Sequence, residues 1–275
     1  ALSSTETVFL MQALTCTVLA VAGYLLSILF KRVLVAKIST WILAAVFAFL
    51  TANLVVAAVN WEGWDQIGSR HYLVFYAWAI AGIYLGFQLK TKTRVLGVFI
   101  APLILLLLLA AVGLAPNRSL LPPEWRGGLT TVHLVLSVAG EVLFVLASAA
   151  GAMFLMQNHL IKNKTQGKMS RLLPSLGDLD RINFIGLAWG FVLLTTGIII
   201  GSVYAVFVWE GPWASDPRVI WSFAVWVAYG FLLHQRLAIG WKGVRVAVLS
   251  VIIFVLLAVS AVVVRFCLPS LHSFI

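Results

Sequence analysis

Trp209-Glu210-Gly211-Pro212-Trp213-Ala214-Ser215-Asp216-Pro217, running on to Trp221 and Trp226, is a short polar loop crowded with indoles. It lies between two strongly apolar runs. Asp216-Pro217 has the form of a helix start: a side-chain acceptor at the N-cap, then a proline at the first helical position, where its missing N–H costs nothing. A helix is therefore predicted from Pro217, with an aromatic shelf fixed at its top. The apolar runs on either side are each near the twenty or so residues that carry a helix across a bilayer. Runs of this kind recur along the whole chain.

Composition agrees. The chain has 275 residues, is 62% hydrophobic and 10% charged, and has a mean hydropathy of +1.05. A soluble protein has no interior large enough for that much apolar surface. A lipid bilayer is the expected surrounding. The net charge of +10 would suggest nucleic acid in a soluble chain. Here it is better explained by cationic loops on one membrane face, and no nucleic-acid partner is expected. Cys16 and Cys267 are far apart and form no CxxC, so no thiol–disulfide relay is read. No basic stretch precedes the first apolar run, so no cleavable leader is expected, and residues ahead of Ala1 are allowed for.

Eight spanning helices are predicted, over about 8–30, 38–59, 71–89, 95–114, 129–158, 182–208, 217–238 and 244–266. The loops alternate in charge. Lys31, Arg32 and Lys37 follow the first helix, and Lys90, Lys92 and Arg94 the third. Lys162, Lys164, Lys168, Arg171 and Arg181 lie between the fifth and sixth, and Arg236, Lys242 and Arg245 surround the last turn. That places 14 of 19 basic residues on one face. The positive-inside rule then puts both termini and the Trp209–Asp216 loop outside. The expected fold is an all-α, polytopic transmembrane helical bundle. It forms a single integral membrane domain, 1–275, with four N-terminal helices in 1–128 and the remainder in 129–275. No internal repeat is seen, and no loop is long enough for a soluble domain. Function is expected within the membrane or at its outer face.

That outer face is aromatic. For Trp61, Trp64 and Trp125 an interfacial belt is as good a reading as a site, because indoles favour that depth in any membrane protein. Trp209 and Trp213 share their loop with Glu210, Asp216 and Arg218, which suits a large planar ligand with charges of its own.

A histidine in a membrane helix is costly unless paired or ligated. His133 falls near the outer end of the fifth helix and His272 just past the eighth, so the topology brings two imidazoles to the face that carries the indole loop. Two neutral imidazoles can ligate one metal, or take the two axial positions of a porphyrin iron. His234 is about 27 Å beyond Asp216 along one helix, near the inner face, and cannot share their site. His159, at a comparable depth to His234, reads as an interfacial residue ahead of a basic loop, with a second inner site formed with His234 as the weaker alternative. His71 reads as a third outer contact or an interfacial residue, the second being preferred. Glu141, two turns below His133, reads equally as a structural contact between helices or a functional carboxylate, with Arg265 or water as its partner. Arg70, Arg126, Arg218 and Arg265 are suited to holding carboxylates.

With these residues in place, Trp209-x-x-x-Trp213-x-x-Asp216-Pro217, then Trp221 and Trp226, resembles the tryptophan-rich WWD signature of the cytochrome c assembly family. This is the CcsA/ResC, CcmC and CcmF group of heme-handling membrane proteins, with HemX-like relatives. The resemblance covers about Thr131 to His272, including Gly197-Ile198-Ile199-Ile200-Gly201-Ser202-Val203-Tyr204-Ala205 before the loop and His234-Gln235-Arg236 after it. It is fainter over the first four helices. It implies that residues 129–275 form a heme-handling core, with Trp209, Trp213, Asp216 and Trp221 around a b-type, non-covalently held heme. His133 and His272 would be the axial ligands of the iron. His234 would be half of an intramembrane heme site completed by a CcsB-type subunit. Arginines of the outer face would meet the heme propionates. One departure is clear: Ser215 stands where the family loop has its last tryptophan before the aspartate, so the shelf has one ring fewer. This moves the reading toward a divergent CcsA/HemX-like protein.

The implied function is heme delivery for cytochrome c biogenesis. Heme would be presented at the outer face of a bacterial inner membrane to apocytochrome c. The chain itself offers no nucleophile, so it reads as an assembly factor or as part of a heme lyase with a CcsB-like partner. A HemX-like regulator of tetrapyrrole synthesis is the alternative, acting through the basic 159–181 connection. A heme-binding subunit of a respiratory complex ranks lower, because only the outer histidine pair is convincing. A solute transporter is disfavoured by the absence of an inverted repeat.

Overall fold

The structure, a computed structural model, describes residues 4–30, 32–60, 69–90, 94–113, 128–163, 173–208 and 213–267, without the side chains of residues 60, 69, 90, 208 and 261–267. Eight α-helices follow one another: α1 (Ser4–Leu29), α2 (Val33–Asn60), α3 (Ser69–Lys90), α4 (Gly97–Gly113), α5 (Gly128–Lys162), α6 (Leu176–Val208), α7 (Pro217–Leu237) and α8 (Val244–Cys267). No strand occurs among the described residues. The helices stand where the apolar runs predict them.

The largest difference is α6, which starts at Leu176 rather than near Ile182. Asp178, Asp180 and Arg181 look like loop residues on charge alone. Ser175 and Asp178 instead form a cap: the Asp178 N–H donates to Ser175 Oγ at 3.1 Å, and Ser175 Oγ donates to the Asp178 carboxylate at 2.7 Å. The pair satisfies helix-end groups that would otherwise face a barren terminus, so the helix begins before the apolar run does.

Six helices, α1–α6, are long and apolar enough among the described residues to cross a membrane. In α8 the described apolar stretch is Val244–Ser260. The outward surfaces are hydrophobic, with Trp41, Leu89 and Phe207 among the most exposed side chains. Such a surface is unsustainable in water and natural against acyl chains. The protein is a polytopic, all-helical integral membrane protein.

The described helices fall into two compact units, α1–α4 and α5–α8. In the first, α1 packs against α2 and α4, and α3 against α2 and α4. Trp78 on α3 donates its indole N–H to Thr51 Oγ1 on α2 at 2.8 Å, and stacks on Phe47 at 5.5 Å. Asn53 Nδ2 donates to the Glu6 carbonyl at 2.8 Å, joining α2 to α1.

In the second unit α5 and α6 run antiparallel at close approach. A Cβ added to Gly140 would lie 2.8 Å from Leu194 N and 2.9 Å from Gly190 O, and one added to Gly186 would lie 2.8 Å from Leu143 O. With backbone facing backbone, only hydrogen fits, as at many helix–helix contacts in membranes. Asn183 ties three helices together, donating to Ala147 O on α5 at 2.7 Å and to Ser250 Oγ on α8 at 3.0 Å. Phe144, Leu187, Leu194, Val225, Tyr229, Leu232 and Val246 form the core of this unit. The Phe144 and Tyr229 rings stack with centroids 3.6 Å apart.

Candidate functional site

Every described candidate ligand of the heme lies in the α5–α8 unit. Trp209 and His272, and with them Trp61, Trp64, Trp125, Arg118 and Arg126, lie outside the described residues, as does the Arg265 side chain.

His133 projects from α5, about one and a half turns from its start. Its Nδ1 is 2.7 Å from the Gly197 carbonyl oxygen on α6. A carbonyl can only accept, so Nδ1 carries a proton, and in the neutral imidazole the lone pair is then on Nε2. The ring lies close against Gly201, one helical turn further along α6: a Cβ there would be 2.5 Å from His133 Cε1 and 2.6 Å from Nδ1. Gly197 and Gly201 therefore supply, respectively, the acceptor that fixes the tautomer and the space that fixes the ring plane. Orientation of an imidazole through its second nitrogen is how metal-binding histidines are commonly prepared. The histidine was legible in the sequence. The two glycines that hold it were visible as a G-x-x-x-G spacing, without any sign of what they face.

The loop end is built as its residues predict. Trp213–Ser215 is a single 3-10 turn, closed by the Asp216 N–H donating to Trp213 O at 3.1 Å. Asp216 is the N-cap of α7, with φ −64° and ψ 130°, and its Oδ1 accepts from Arg218 N–H at 2.9 Å. Pro217 occupies the first helical position. The carboxyl group of Asp216 is buried, so the cap is shielded from solvent.

Trp221 and Trp226 are half-buried against the core. The Trp221 indole N–H donates to Ser260 Oγ on α8 at 2.9 Å, and that of Trp226 to Thr195 Oγ1 on α6 at 2.8 Å. Each joins α7 to a neighbouring helix. Any contact of Trp221 with a ligand would be through its ring, since the N–H is engaged.

His234 lies at the far end of α7 from Asp216, in the last turn, where its carbonyl accepts the Ala238 N–H at 2.8 Å. Its side chain is exposed, on the same stripe as the exposed Ile220, Phe223, Val227 and Phe231. His159 is exposed at the end of α5. His71 departs from the interfacial reading. It is buried within the α1–α4 unit, with Nε2 3.8 Å from a Glu6 carboxylate oxygen on α1. No group of three or more His, Cys, Asp or Glu among the described residues is arranged to hold a bare metal ion.

Apolar helices and an imidazole oriented between α5 and α6 together define a polytopic membrane protein with a fixed histidine in its α5–α8 unit. Comparison with known sequences agrees in kind. The model of the family described as "Cytochrome C assembly protein" matches residues 68–272, and the chain belongs to that family. It is similar to the cytochrome c biogenesis protein CcsA of Chlamydomonas reinhardtii, 27% identical over 237 residues, covering 81% of this chain and 66% of that protein. The protein of that name from Parasynechococcus marenigrum is 31% identical over 149 residues, 54% of this chain and 49% of the relative. The one from Chlorella vulgaris is 26% identical over 257 residues, 82% of each. The chain thus spans about half to four-fifths of the length of these relatives.

Proposed function

We propose that this chain handles heme in cytochrome c biogenesis, holding it at the outer membrane face for transfer to apocytochrome c. The reading rests above all on His133, whose Nδ1–H is spent on the Gly197 carbonyl and whose Nε2 is left as a ligand. His272 would supply the second nitrogen to the iron. Trp209, Trp213 and Trp221 line the porphyrin, and Asp216 holds the loop against α7. Arg218 in the first turn of α7 is suited to a propionate. The heme is b-type and non-covalently held, so it can leave.

Heme is cargo here. The chemistry that consumes it is addition of two cysteine thiols of the apocytochrome across the vinyl groups; a C–S bond forms at one vinyl carbon while the thiol proton passes to the other. The chain contributes position and orientation, which alone can supply several orders of magnitude in rate. His234, on an exposed apolar stripe, is suited to a partner helix that brings a second imidazole, as a CcsB-like subunit would. The membrane is the bacterial inner membrane, with the indole loop on the outer face.

The test is heme content and the visible spectrum of the full chain purified from membranes. His133→Ala and His272→Ala should each lose the share of the bound heme, and of the low-spin spectrum, that belongs to the outer site. Unchanged heme in both variants would sink the assignment.

A further inference from the structure

Away from the outer site, the inner end of α7 carries a charged clamp.

Arg236 is buried near the end of α7, and Asp180 sits one turn into α6. Arg236 Nη1 donates to Asp180 Oδ1 at 3.1 Å and Nη2 to Oδ2 at 2.6 Å, a two-pronged pair. Nη2 also donates to the Asp180 backbone carbonyl at 3.1 Å. Asp180 Oδ1 accepts a further bond, from the Gly243 N–H in the α7–α8 turn, at 3.1 Å. The guanidinium lies over the Phe184 ring, 4.8 Å from its centroid. One carboxylate thus gathers α6, α7 and the turn leading to α8. The turn needs this hold: Gly240 and Gly243 have φ of +79° and +67°, and the Trp241 N–H reaches back to Gln235 O at 3.1 Å.

His234 is two residues before Arg236. Two residues are about 200° around a helix, so the residue that the clamp pulls inward forces His234 outward. Rotation of the last turn of α7 about its axis would swing the imidazole along the surface, and the clamp is what opposes it. Ala238 closes that last turn in right-handed conformation with a bond to the His234 carbonyl. Beyond the left-handed Gly240, the Trp241 N–H satisfies the Gln235 carbonyl, and the clamp adds a hold from α6.

We infer that Asp180 and Arg236 are positioning residues for His234, fixing the direction in which its imidazole leaves the helix toward a metal-bearing planar ligand. This rests on the reading of His234 as a heme ligand. The alternative is a clamp that only closes the α7–α8 turn.

The experiment uses the full chain carrying His133→Ala and His272→Ala, so that heme retained belongs to His234. Heme occupancy, the low-spin spectrum and the thermal transition are measured with and without added imidazole. His234→Ala should abolish the retained signal. Arg236→Lys and Asp180→Asn should lower heme affinity about ten- to a hundredfold, the range seen when groups orienting a metal ligand are altered. Imidazole should restore the low-spin spectrum in both, although the thermal transition falls with loss of the two-pronged pair. A signal unchanged by His234→Ala would overturn the reading of His234 and this inference with it. A signal lost with His234→Ala but kept by Arg236→Lys and Asp180→Asn would overturn the positioning role alone. Loss that imidazole does not repair would also overturn it, since the clamp would then be holding the fold rather than the ligand.

Discussion

His133 Nδ1 is 2.7 Å from the Gly197 carbonyl oxygen, so a histidine on α5 takes its tautomer from the backbone of α6. The contact exists only because α5 and α6 approach at glycine positions. A side chain at Gly201 would occupy the place of the ring itself. Ligand chemistry and helix packing are here one arrangement.

Gly201→Ala tests that arrangement while leaving the histidine itself in the chain. The added methyl would meet His133 Cε1 and Nδ1 at about the C–C overlap distance, 2.5 and 2.6 Å. The ring must turn away, and the bond to Gly197 is lost. Heme affinity should fall about ten- to a hundredfold, as when other groups orienting a metal ligand are removed. Helical content by circular dichroism should stay near that of the parent. Heme titration gives the answer, and parental affinity would mean that the ring has room elsewhere.

At Asp216 the cap and the charge can be separated by substitution. Asparagine caps as well as aspartate, so Asp216→Asn should leave the thermal transition nearly unchanged, whereas Asp216→Ala should cost about 1 kcal/mol. If the carboxylate only caps, maturation of a reporter cytochrome c will follow stability and Asp216→Asn will behave like the parent. Loss of maturation in Asp216→Asn with an unchanged transition would assign the charge to the ligand or the client.

How much of this was legible beforehand differs by residue. The helix start at Asp216-Pro217 is a local event, governed by one side chain and one fixed φ, and the sequence showed it. The spans were legible because apolar length is a one-dimensional property. The Ser175–Asp178 cap was missed because charged residues ahead of an apolar run look like loop, while a helix in a membrane protein can extend beyond the bilayer core. The Arg236–Asp180 pair and the Glu6–His71 contact were not legible at all. Each joins residues far apart in the chain, and nothing in a charge pattern says which arginine meets which aspartate. His71 shows the cost of reading position without tertiary contact: a residue at a helix start looks interfacial until another helix covers it.

Trp221 and Ser260 give a third test. The indole N–H donates across α7 and α8 at 2.9 Å. Trp221→Phe keeps an aromatic ring and removes the donor; Ser260→Ala removes the acceptor. Hydrogen bonds between helices in membranes are worth about 0.6 kcal/mol on average. Each single variant should be destabilised by about that amount, and the double variant by little more than either, since both delete one bond. Unfolding in mixed micelles measures the cycle. Full additivity would mean that the two residues act independently. A heme defect in Trp221→Phe beyond that of Ser260→Ala would place the ring, and not its N–H, against the ligand.

The last test concerns the spacing of α5 and α6. Gly140 faces backbone atoms, Leu194 N and Gly190 O, at 2.8 and 2.9 Å from where a Cβ would stand. Unlike the end of a flexible side chain, a backbone cannot step aside, so Gly140→Ala must push the helices apart. Overpacking of this kind costs about 1–3 kcal/mol. The separation would be felt one and two turns away at Ser137 and His133, where Gly197 and Gly201 depend on the same approach. Gly140→Ala should therefore lower both the thermal transition and heme affinity. Gly128→Ala, at the start of α5 with nothing within 4 Å of the added carbon, should lower neither. A stable Gly140→Ala protein with parental heme affinity would mean that the helix pair absorbs the methyl by local bending. The glycine contact would then not set the position of His133.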